Sequence, residues 1–196
     1  MLKIGITGGI GSGKTTVCRV FETLGIPVFY ADTVAKSIMV VDPILISGVK
    51  QAFGPSSYFE DGTLNNKHIA GIVFSHPQEL AKLNKMVHPA VFRAFDNWLE
   101  TVDSSAPYVL KEAALLFESE SYKMCDQSIL VIAPHQLKLD RVIARDSVTA
   151  DQVTARMDKQ FSDEQKMELA DFILYNNESQ SVITQVMELH KQFLKH

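Results

Sequence analysis

Eight residues near the start of the chain carry the clearest chemistry. Gly8-Gly9-Ile10-Gly11-Ser12-Gly13-Lys14-Thr15 follow the spacing G-x-x-x-x-G-K-[ST] of a phosphate-binding loop. Each residue type has a task there. The glycines let the backbone wrap a triphosphate and point N–H groups inward. Lys14 has the reach to meet β- and γ-phosphates, and the Thr15 hydroxyl suits a Mg²⁺ ligand. The bland alternative is a glycine-rich turn that binds nothing.

The surrounding residues favour the phosphate reading. Leu2–Thr7 is a short apolar strand. Val17, Val20, Phe21 and Leu24 then recur as on the buried stripe of a helix. Gly25 stands where such a helix closes on a left-handed residue. Strand, glycine loop and helix thus come in the required order, and the helix offers its positive end to the phosphates.

A second strand, Pro27–Tyr30, ends at Ala31-Asp32, where a helix running to about Met39 begins. Ligands of open parallel sheets sit beyond the carboxyl ends of the strands. Asp32 is therefore either a plain helix N-cap or a carboxylate on the active rim, and it can serve as both. Between Val40 and Ser105 no strong strand appears, and the pattern is helical over Pro43–Phe53, Asn65–Phe74 and Gln78–Val87. Pro89 restarts a helix that continues to about Val102, with a kink or break expected near His88. This stretch, about 40–105, reads as an insertion that binds a second substrate or merely pads the fold.

Pro107–Ala113, Gln127–Ala133 and Phe172–Tyr175 read as strands three to five, and Ser179–Leu194 as the last helix. Strands alternating with helices specify an α/β fold with a parallel sheet. Between strands four and five, Lys138, Arg141 and Arg145 share one helical spacing, and Arg156 and Gln160 repeat it. Such a stripe is either a solvated basic face or a lid, about 138–165, whose arginines neutralise a transferring phosphoryl group.

Composition narrows the options. A chain of 196 residues accommodates one domain with an insertion. A net charge of −4 argues against a nucleic-acid partner. Apolar runs such as Ser128–Ala133 are far too short to cross a bilayer, and the N-terminus enters the first strand directly, so no signal peptide or membrane partner is expected. Cys18 and Cys125 lack metal-ligand spacing and read as small core residues of a reducing compartment, so the cytoplasm is the expected location. No guanine-reading N-K-x-D follows a strand, and strand four ends Val131-Ile132-Ala133-Pro134 without a carboxylate. A small-molecule kinase remains, ahead of a nucleotide-dependent switch. Glu112, near the end of strand three, is a candidate for the metal's outer shell.

Over nearly its whole length the chain resembles the dephospho-coenzyme A kinase family. The matching pieces stand in family order: Ile6–Thr16; Leu24-Gly25 with Ala31-Asp32; Val87-His88-Pro89; Leu115-Leu116-Phe117-Glu118; Arg141, Arg145-Asp146, Arg156 and Gln160; and Ala170-Asp171 with Asn176-Asn177. Three positions depart from the family pattern: Ala114 replaces a usual proline, Glu178 a frequent glycine and Asn66 a common arginine. The resemblance implies a P-loop kinase fold, with a parallel five-stranded sheet, a helical substrate-binding insertion and a helical lid. It implies phosphorylation of the ribose 3′-hydroxyl of dephospho-coenzyme A by ATP with Mg²⁺, in a monomer or small homo-oligomer. Catalysis falls to Asp32, Lys14 and Arg141. ATP binding falls to Gly11, Ser12, Gly13, Lys14, Thr15, Thr16, Arg145 and Asn176, with Thr15 on the metal. Asp32, His88, Leu115, Arg156 and Gln160 are expected on the acceptor. His88 is alternatively no more than the residue before a proline.

Overall fold

The computed structural model describes residues 1–74 and 76–195. The chain divides into two compact units, one of Met1–Tyr30 with Val102–His196 and one of Ala31–Thr101.

The first unit is built on five parallel strands: β1 (Leu2–Thr7), β2 (Val28–Tyr30), β3 (Tyr108–Glu112), β4 (Gln127–Ile132) and β5 (Phe172–Tyr175). Their spatial order is β2-β3-β1-β4-β5. β1 therefore lies centrally, with β3 on one side and β4 on the other. The chain leaves β1 between two strands whose connections run in opposite directions, which is where an open sheet leaves a crevice for ligand. Ile4 and Ile6 of β1 alternate toward a core shared with Tyr108, Leu110, Ile129 and Val131. Helix α1 (Lys14–Thr23) adds Val17, Cys18 and Phe21 to that core, and α9 (Val182–Phe193) adds Val186 and Phe193. Val109 and Leu130, on the alternate register, are also buried. Strands covered on both faces read as continuous apolar runs, which is why they stand out in the sequence.

Between β4 and β5 lie α6 (His135–Asp146), α7 (Ala150–Met157) and α8 (Asp163–Met167). Thr149 and Ser162 open α7 and α8 with capping boxes closed by Gln152 and Gln165. Each box satisfies two backbone donors that the first turn would otherwise leave unpaired.

The second unit contains α2 (Ala31–Val41), α3 (Pro43–Phe53), α4 (Asn66–Val73) and α5 (Pro77–Thr101). Asp42 caps α3 by accepting the Leu45 N–H at 2.9 Å, and Arg93 of α5 reaches the same carboxylate at 2.6 Å. Asn65 caps α4 through the His68 N–H. Of the kink or break expected near His88, the break does not occur: α5 is one helix with Pro89 inside it. Proline removes one i→i−4 bond, but Ala90, Val91 and Phe95 bury the stripe that follows it. Packing of that stripe carries the helix past the missing bond. Among the described residues no helix is long and apolar enough to cross a membrane.

Candidate active site

The glycine loop occupies the step from β1 to α1. Ser12 N–H closes a turn on the Gly9 carbonyl at 3.0 Å, and the first intrahelical bond of α1 runs from Val17 N–H to the Gly13 carbonyl. The N–H groups of Lys14, Thr15 and Thr16 thus belong to the first turn, which has no intrahelical acceptor for them. That turn presents an anion with N–H donors and the positive end of a helix. Gly11 takes φ 80°, and a Cβ there would run into the Lys138 carbonyl oxygen of α6. Only glycine fits against α6 at that point.

Lys14 reaches back across the loop. Its Nζ donates to the Gly8 carbonyl at 3.0 Å and stands 4.0 Å from Glu112 Oε1. Glu112 is the last residue of β3, in register with Ile6 on β1 and Tyr30 on β2. The ammonium and carboxylate thus share the carboxyl edge of the sheet, where the two side chains retain 11% and 8% exposure. Sparse water makes each charge count for more than it would at the surface. Thr15 and Thr16 are exposed beside it, whereas Ser12 is buried and its hydroxyl oxygen has no hydrogen-bond partner.

Three further predicted residues gather on the loop. Asn176, whose own N–H donates to the Ile132 carbonyl at the end of β4, donates its side-chain amide to the Ser12 carbonyl at 2.8 Å. Arg141 of α6 makes long contacts, 3.5 Å to the Gly11 carbonyl and 3.4 Å to Asn176 Oδ1. Gln160 accepts the Ile10 N–H at 2.9 Å.

Arg145 and Arg156 are not on the loop. Both converge on Asp146: Arg145 through Nε at 2.6 Å and a second nitrogen at 3.0 Å, Arg156 at 2.9 Å. The Arg145 guanidinium, and then that of Arg156, holds the Asp146 carboxyl well below the usual carboxylate range. Leu115 is exposed just beyond β3, while Leu116 and Phe117 turn into the core. In the second unit, α2 starts at Ala31 as the sequence suggests, and Asp32 is the second residue of its first turn, not its N-cap. A carboxylate there is favoured by the helix dipole. His88 is half-buried in α5, and that burial lowers its pKa. Asn66 is exposed at the start of α4, and Glu178 takes φ 65°, the region where glycine sits without penalty.

Two ion pairs near the loop escaped the sequence reading. Lys138 is buried and holds Asp163 at 2.6 Å, and Lys166 is fully buried with its Nζ 3.1 Å from Glu118 Oε1. The second contact is an ion pair by distance but falls short of hydrogen-bond geometry. The partners lie far apart in sequence, so no spacing signals them. A cleft of about 510 Å³ is lined by Gly9, Ile10, His135, Lys138, Gln160 and Asp163 among others; Lys14 and Thr15 do not line it. It flanks the loop's outer turn rather than the phosphate face.

The family profile of dephospho-CoA kinase matches residues 2–181. The chain belongs to the dephospho-CoA kinase family. A dephospho-CoA kinase of Salinibacter ruber is 43% identical over 178 residues, 90% of this chain and 89% of that protein. One from Legionella pneumophila is 36% identical over 193 residues, 98% of this chain and 95% of that protein. Among solved structures, one from Thermus thermophilus superposes with a TM-score of 0.86 at 32% identity, covering 98% of this chain and 97% of that one. Shikimate kinase of Acinetobacter baumannii, at 16% identity and a TM-score of 0.52, shares the fold alone. Dephospho-CoA kinases use ATP to phosphorylate dephospho-CoA, the last step of coenzyme A biosynthesis.

Proposed function

We propose that this chain runs the family reaction by transferring the γ-phosphoryl group of ATP to the ribose 3′-hydroxyl of dephospho-CoA, with the glycine loop as the phosphate cradle. The observation that carries this reading is Lys14, held across the loop at the carboxyl edge of the central strand with Glu112 beside it. Phosphoryl transfer leaves little covalent work for the protein, so catalysis is positioning and charge stabilisation.

In this proposal the loop N–H groups and Lys14 hold the β- and γ-phosphates. Arriving phosphate oxygens replace the Gly8 carbonyl as partners of the Lys14 ammonium. Asn176 and Arg141, braced on the Gly11 and Ser12 carbonyls, form the nucleotide side of the cradle. Arg141 is the nearest arginine able to swing onto the transferring group. Arg145 and Arg156 would have to leave Asp146 to join it. Asp32 takes or orients the proton of the 3′-hydroxyl, and His88 and Leu115 contact the acceptor.

Mg²⁺ fits the donor set. The Thr15 hydroxyl and the Glu112 carboxylate are hard oxygen donors, the chemistry this ion prefers, and two protein groups leave room for water and phosphate oxygens. Thr15 would ligate it and Glu112 would hold one of its waters. Held there, its charge would neutralise that developing on the transferring phosphoryl group. All the loop residues come from one chain, so one copy suffices for the phosphate site. We place the reaction in the cytoplasm, with no nucleic acid or membrane as partner.

The test is incubation with ATP and Mg²⁺ against dephospho-CoA, AMP and adenosine, with the phosphorylated position read by phosphorus NMR. Preference for dephospho-CoA with a 3′-phosphate product supports the proposal. Comparable efficiency with AMP would favour a nucleotide kinase, and slow ADP release with every acceptor alike would favour a switch.

A further inference from the structure

Gln160 stands at the junction of α7 and α8 and is half-buried. Both ends of its side-chain amide are engaged by main chain. Oε1 accepts the Ile10 N–H at 2.9 Å, and Nε2 donates to the Ala114 carbonyl at 3.3 Å. The orientation of the amide follows from its partners, since an N–H requires the oxygen and a carbonyl requires the nitrogen. Thr7 Oγ1, at the end of β1, also points at the Ala114 carbonyl, at 3.4 Å. One side chain therefore links the glycine loop to the segment leaving β3.

The backbone beneath Gln160 is itself held. Phe161 N–H, the next donor along the chain, reaches Glu118 Oε1 at 2.9 Å. The same oxygen lies 3.1 Å from Lys166 Nζ, and this pair is nearly dry: Lys166 is 0% and Glu118 12% exposed. Immediately after Phe161, the Ser162 capping box starts α8. Gln160 thus projects from an anchored backbone, not from a free loop.

We infer that Gln160 is a positioning residue of the ATP site: it fixes the outer turn of the glycine loop through Ile10, and it does not contact the acceptor. This departs from the role the family resemblance implies for it, and it rests on the loop being the phosphate cradle. The Ile10 N–H is the donor committed to Gln160 and the Ser12 N–H closes on the Gly9 carbonyl, which leaves the turn's remaining donors through Thr15 to face phosphate. If Gln160 lets go, the turn loses this tie to the α7–α8 junction and the donors beyond it lose their register.

The test uses Gln160→Met, which removes both hydrogen bonds at similar length, and Gln160→Glu, which keeps an acceptor for Ile10 and sets a carboxylate against Ala114. We expect the Ile10 amide resonance of the nucleotide-free Met variant to shift and its hydrogen exchange to quicken. ADP should bind about three- to tenfold more weakly, the range one neutral hydrogen bond commands. KM for dephospho-CoA should stay within about twofold, because ground-state acceptor contacts are untouched. Gln160→Glu should restore most of the Ile10 amide signal. An Ile10 amide that does not move would overturn the inference. So would intact ADP binding with a raised KM for dephospho-CoA, which would return Gln160 to the acceptor. The amide readout involves no turnover, so its outcome is separate from whether dephospho-CoA is the true acceptor.

Discussion

Gly11 and Gly25 share φ 80°, yet their surroundings differ completely. A Cβ on Gly25 meets nothing within 4 Å. A Cβ on Gly11 would collide with the Lys138 carbonyl oxygen and come within 2.9 Å of both the Lys138 carbonyl carbon and Val142 Cγ2. Alanine at either position carries the same left-handed penalty, about 1–2 kcal/mol. It also gains the same stiffening of the unfolded chain, about 0.4–1 kcal/mol. These contributions cancel in the difference between the two variants. What remains is the cost of forcing backbone and a core methyl apart, about 1–3 kcal/mol for an overpacked site. For a chain of this size each kcal/mol moves Tm by about 2–4 °C, so Gly11→Ala should melt about 2–12 °C below Gly25→Ala. Thermal melting without nucleotide measures this, with urea unfolding as a second estimate. ADP affinity should survive in Gly25→Ala and fall in Gly11→Ala, because α6 and the loop must separate only in the latter. Equal melting temperatures would show that α6 does not press on the loop, and the close approach argued for the site would be wrong.

Lys14→Ala should lower kcat by about 10²–10³-fold, the usual cost of removing a group that stabilises developing charge; wild-type turnover would refute the loop assignment. Asp32→Asn keeps side-chain size, should melt like the parent, and should lose about 10²–10⁴-fold in kcat if the carboxylate takes the hydroxyl proton; a change of only a few-fold would leave Asp32 as a helix-end carboxylate, with Glu112 next in line. Asp146, whose folded pKa is depressed by Arg145 and Arg156, contributes stability that is present above the ordinary carboxylate pKa and lost as pH falls through the folded value. Its carboxyl carbon should therefore titrate below the usual aspartate range by NMR, and a normal midpoint would mean that the arginine fork does not persist in solution.

The sheet was legible because each strand holds a short apolar stretch, most continuous in β3 and β4, which are buried on both faces. The glycine loop was legible because its spacing is a chemical requirement. Pro89 shows where local rules leave the outcome open between a kink and a break. Proline costs a helix one hydrogen bond and a steric clash, yet α5 runs unbroken from Pro77 to Thr101. Ala90, Val91 and Phe95 are buried directly after it, and that burial is invisible to a reading of Pro89 alone. Glu178 is the converse case. Its φ of 65° explains why glycine suits that turn, and the glutamate bears a small backbone cost there.

The basic stripe of α6 shows most directly what spacing conveys and what it omits. Lys138, Arg141 and Arg145 recur every three or four residues, which places them on one side of the helix. Their situations are nonetheless three different ones. Lys138 is buried against Asp163, Arg141 is half-buried over the Gly11 carbonyl, and Arg145 is exposed on Asp146. The rise of about 1.5 Å per residue carries the stripe roughly 10 Å from its first member to its last. Because α6 starts at the sheet edge beside the loop, that distance is also depth, from the packed rim out to water. Periodicity fixes an angle around the helix axis and says nothing of position along it relative to the rest of the fold. The depth at each position then decides the role open to its charge: a buried tie for Lys138, a neighbour of the glycine loop for Arg141, and a surface fork for Arg145.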